Sequence, residues 1–61
     1  MSANTIITYL LRQLQSACDA GNRTVASKAL DRYEEAIFRF SAAGEDAISA
    51  AQSTFAAYFP A

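Results

Sequence analysis

The chain has 61 residues, enough for at most one domain, and a chain of this size buries only about 60% of the surface its unfolded state exposes. It has no histidine and one cysteine, Cys18, which excludes an intramolecular disulfide and a structural zinc site with four Cys or His ligands. Five basic and six acidic residues leave a net charge of −1, which removes the electrostatic case for general nucleic-acid or anionic-membrane binding.

A single core of this size supplies only ~3–5 kcal/mol, so the missing cross-links direct attention to helix packing and self-association. Fourteen of the residues are alanine, the best helix former and a poor filler of core volume. The expected fold is all-α: a small antiparallel helical bundle, either three short helices or a helical hairpin that dimerises. The whole of 1–61 is read as one helical domain.

The first helix is expected over about residues 3–20. Ser2 or Asn4 can cap it, because either side chain accepts a hydrogen bond from an unpaired backbone N–H. Ile6, Ile7, Leu10, Leu11, Leu14, Ala17 and Cys18 recur at spacings of three and four, forming one apolar face. Gly21 then supplies the left-handed conformation that ends helices, and Asn22 extends the turn.

The second helix is expected over about residues 24–43, with Thr24 as its N-cap. Ala26, Leu30, Tyr33, Ile37 and Phe40 form a two-heptad stripe flanked by Val25, Ala29 and Ala36. Gly44 admits two readings. As a glycine following a helix end, it separates a third helix over about residues 45–59, with Glu45 and Asp46 favourably placed at the positive end of the helix dipole. As an interior glycine it leaves one long arm that needs a partner. The break is preferred, because Ile48, Ala51, Phe55, Tyr58 and Phe59 form a stripe offset from the uninterrupted heptad and stop at Pro60.

The residues offer little chemistry. Without histidine the commonest general base is missing, and Cys18 falls on the apolar stripe, where burial raises a thiol pKa and quiets it. The carboxylates lie opposite the apolar stripe and suit solvent-facing pairs, Glu35 with Arg39 above all. We therefore expect no enzyme, no metal and no cofactor. Lys28, Arg32 and Arg39 share one side of the second helix and are the candidates for an alternative, a dimeric nucleic-acid-binding regulator. Against it, Asp31, Glu34 and Glu35 are interleaved with them, and Phe38 falls nearer Asp31 and Glu34 than the arginines.

Three features point to contacts with protein. Nine of the eleven charged residues lie between Arg23 and Asp46; residues 1–22 hold only Arg12 and Asp19, and residues 47–61 hold none. The third helix carries small residues round most of its circumference: Ala47, Ser49, Ala50, Ala51, Ser53, Ala56 and Ala57. Tyr9 and Phe38 fall off their apolar stripes, and aromatics are enriched at interface hot spots. Tyr9, Phe38, Phe55, Tyr58 and Phe59 are the protein-contact candidates. Phe55 and Phe59 also suit a plug at one end of the bundle, and Tyr58 suits a ring on apolar surface with its hydroxyl in water.

The expected function is a non-catalytic helical interaction or assembly module, self-associating or docked on a larger protein. The start has no basic n-region ahead of its short apolar run, and no apolar stretch is long enough to span a membrane. A cytoplasmic location is expected.

Overall fold

The computed structural model describes residues 2–40 and 44–60. They form three α-helices: α1 (Ala3–Asp19), α2 (Arg23–Phe40) and α3 (Gly44–Tyr58). No strand is present among the described residues. The fold is thus the three-helix form of the expected all-α bundle. The expected end of the second helix, at Ala43, lies outside the described residues.

Local chemistry accounts for the helix ends. Ser2 is the N-cap of α1, its hydroxyl accepting from the Thr5 backbone N–H at 3.2 Å. At the other end Gly21 takes φ +71°, a conformation that costs other residues ~1–2 kcal/mol. Its N–H reaches the Cys18 carbonyl and that of Asn22 reaches Ala17, both at 3.0 Å, which satisfies two carbonyls at the end of α1. Asn22 then starts the next helix. Its side-chain oxygen accepts from the Val25 N–H at 3.1 Å and its carbonyl from Ala26 at 2.9 Å. Asn22 therefore replaces Thr24 as the N-cap, since the chain leaves the Gly21 turn already aimed into α2. Gly44 is the first residue of α3, and Glu45 and Asp46 occupy the first turn.

This short turn folds α2 back along α1, and that pair makes the most extensive contact in the molecule. The chain then reverses again. A β-carbon on Gly44 would lie 3.4 Å from Ile37 Cγ2, whereas Tyr58 hydrogen-bonds to Asp19. So α3 runs antiparallel to α2. It packs on α2 and touches α1 only slightly. The molecule is flat, with principal extents of 31 × 21 × 13 Å.

The core is small and alanine-rich. Leu14, Ala17, Cys18, Ala26, Ala29, Tyr33, Ile37 and Ala51 form its buried cluster, and Ala36 is also buried. Half-buried Ile7, Leu10, Leu30, Ala47, Ile48, Phe55 and Phe59 pack around it.

Four residues assigned to or beside the apolar stripes are exposed instead: Leu11, Val25, Phe40 and Tyr58. Leu11 stays exposed while α3, which touches α1 only slightly, leaves it uncovered. Phe40 follows Gly21 by nineteen residues, which brings it level with Ser2 in an antiparallel hairpin, beyond the large side chains of α1. Val25 lies at the edge of the α1–α2 seam rather than in it.

Candidate interaction surfaces

The C-terminal aromatics of α3 close one end of the bundle. The Phe55 and Phe59 rings are tilted against each other with centroids 5.2 Å apart, and both are half-buried against the core. Tyr58 is partly exposed, yet its hydroxyl does not simply face water. It donates to Asp19 Oδ1 at 2.9 Å and accepts from Gln15 Nε2 at 3.1 Å. Gln15 Nε2 also lies 3.3 Å from Asp19 Oδ1. This three-residue cluster ties the end of α3 to the end of α1, where apolar contact between the two helices is slight.

Asp19 also affects protonation. Its hydrogen bond and its charge raise the Tyr58 pKa above the usual 10.0, since both favour the neutral phenol. Burial, and then the charge of Asp19, raise the Cys18 thiol above its usual 9.0. Cys18 is accordingly a protonated core residue with little nucleophilic character.

Both raised values stabilise the fold at neutral pH. The folded chain holds protons that the unfolded chain releases at pH 9.0 and 10.0, so this stability is complete below pH 9 and declines as pH rises through the folded values. Thermal melts from pH 8 upward should show this decline, and Cys18→Ala with Tyr58→Phe should flatten the slope. An unchanged slope in the double variant would rule out these groups as the cause.

A second surface lies along the α1–α2 seam. Tyr9, Leu10 and Gln13 from α1 face Val25, Lys28, Ala29 and Arg32 from α2 across a groove of about 250 Å³. Its lining is mainly apolar, Lys28 and Arg32 supply its charge, and no carboxylate lines it. Tyr9 is 59% exposed at its edge and also borders a shallow depression that ends in Arg12. The structure thus joins a protein-contact candidate to two of the three nucleic-acid candidates. The third, Arg39, is paired with Glu35 at 3.0 Å, the i,i+4 pair expected from the sequence.

Phe38 is elsewhere, on the outer face of α2, and is 85% exposed. Side chains on a helix lean toward its N-terminus, so the ring lies over the turn that carries Glu34 and Glu35, with Asp31 one turn further back. Tyr9 and Phe38 therefore belong to different surfaces. Of the small residues on α3, Ala51 is buried and Ala47 half-buried, whereas Ser49, Ala50, Ser53, Ala56 and Ala57 face solvent.

Among the described residues there is no cluster of three or more His, Cys, Asp or Glu that could hold a metal, and no helix is long and apolar enough to cross a membrane. Sequence reasoning missed Gln15 and Asp19. Their i,i+4 spacing was readable as a polar pair, but their link to Tyr58, 39 residues beyond Asp19, depends on the path of α3. In comparisons with protein-family models, curated proteins and solved structures, the chain matches none.

Proposed function

We propose that this chain is a non-catalytic helix-packing module that works by protein–protein contact, and that it associates with further copies of itself. The observation that carries this reading is an inversion of size between inside and outside. Five of the nine buried apolar residues among those described are alanine, and Leu14, Tyr33 and Ile37 are the large side chains in that set. Tyr9, Leu11, Val25, Phe38, Phe40 and Tyr58 are all exposed. Covering such side chains contributes roughly 25 cal/mol per Å² of apolar surface removed from water, which a domain with a small core lacks on its own. Seven of the eleven charged residues lie on α2, and α3 carries none beyond Glu45 and Asp46 in its first turn, which favours the same reading because interface centres are depleted of charge.

The alternative, a nucleic-acid-binding regulator, has Tyr9 beside Lys28 and Arg32 in its favour. Its third residue, Arg39, is held by Glu35, and Asp31 and Glu34 interrupt the cations along α2. Such a face lacks the clustered positive charge that phosphate recognition uses.

Sedimentation or light scattering across a dilution series, with helicity recorded at each step, tests the proposal. The expected result is a mass of two or more chains at high concentration, with helicity falling as the assembly dissociates. A constant 6.6 kDa species of unchanging helicity would refute self-association.

A further inference from the structure

We infer that the contact between copies is a knob seated in a groove: Phe38 of one copy enters the α1–α2 groove lined by Tyr9, Lys28 and Arg32 of another. This deepens the self-association proposed above and rests on it.

Size and charge together single out this occupant. A cavity of about 150 Å³ is enough to hold benzene, so the groove of about 250 Å³ has room for a phenyl ring. Leu10, Val25 and Ala29 in its lining offer the ring apolar contact, and the exposed Tyr9 ring offers an aromatic edge or face.

The surroundings are complementary in sign. Phe38 is bordered by Asp31, Glu34 and Glu35, of which Glu35 is paired with Arg39. The groove is bordered by Lys28 and Arg32, which make no ion pair with another described residue, and by no carboxylate. Seating Phe38 brings Asp31 and Glu34 of one copy towards Lys28 and Arg32 of the other. Two knobs brought together would instead set acid against acid, and two grooves base against base, so the charges disfavour both like-with-like arrangements. Knob and groove also face different directions around α2, so one copy can present both at once. An aromatic anchor in an apolar pocket with a charged rim is the usual anatomy of an interface hot spot.

Two single-surface variants and their mixture test the seat by sedimentation. Phe38→Ser removes the knob and leaves the groove. Lys28→Glu with Arg32→Glu reverses the groove wall and leaves the knob. All three positions are exposed, so each variant should keep the helicity of the parent when compared at equal oligomeric state. Each alone should self-associate about 30-fold more weakly, the effect of truncating an aromatic hot spot. An equimolar mixture should recover a two-chain species, because the intact knob of the second variant fits the intact groove of the first.

If the parent assembles but Phe38→Ser assembles equally well, or if the mixture recovers nothing, the seat is overturned while self-association stands. If the parent itself remains a monomer, self-association falls and the seat falls with it.

Discussion

Leu14→Ala is expected to unfold most of the chain at room temperature. Leu14 is 1% exposed and shares the core with small neighbours, Ala17, Cys18, Ala26 and Ala29. Truncating a buried leucine costs ~2–5 kcal/mol, the lost transfer free energy plus that of the cavity left behind. A core of this size contributes ~3–5 kcal/mol in all, so the loss and the total are comparable. Ile37→Ala, at the other end of the α1–α2 seam, should behave in the same way. Far-UV circular dichroism with urea titration is the measurement, at matched protein concentration because association stabilises the folded state by mass action. A Leu14→Ala chain that melts with its parent would mean that the core is elsewhere.

Adding volume at Ala26 should also be damaging, for the opposite reason. Ala26 is fully buried, and with Ala29 and Ala36 it lets the backbone of α2 come close to its neighbours. Ala26→Leu pushes branched carbons into a space sized for a methyl group. Overpacking of this kind costs ~1–3 kcal/mol, because the helices must separate or the side chain must leave its preferred rotamer. The same replacement at exposed Ala50 on α3 should change stability by no more than ~0.5 kcal/mol. Urea midpoints of the two variants make the comparison. Equal midpoints would show that α1 and α2 do not approach closely at Ala26.

These two positions differ in how visible they were beforehand. Leu14 stands in the middle of a run with helical spacing and could be assigned to the core from that spacing alone. Ala26 also stood on a stripe, but alanine is as common on solvated helix faces as in close contacts, so its importance follows from what packs on it. Phe40 shows the limit of periodicity. It continues the α2 stripe correctly and is still exposed, because burial requires an apolar surface opposite and the facing residues from Ser2 to Thr5 are small or polar. Leu11 is exposed for a related reason: α3 packs on α2 and touches α1 only slightly.

The amino-acid sequence by itself determined which segments are helical, the turn at Gly21 and the Glu35–Arg39 pair. All of these depend on residues within about one helical turn of one another, where backbone preference and side-chain spacing decide the outcome. Only the tertiary structure decided which apolar residues remain uncovered, that Tyr58 fastens α3 to Asp19, and that Tyr9 joins Lys28 and Arg32 in one groove. Those arrangements depend on the direction in which each helix leaves its turn. A helix carries several apolar positions around its circumference, and packing against its neighbours selects which of them are covered.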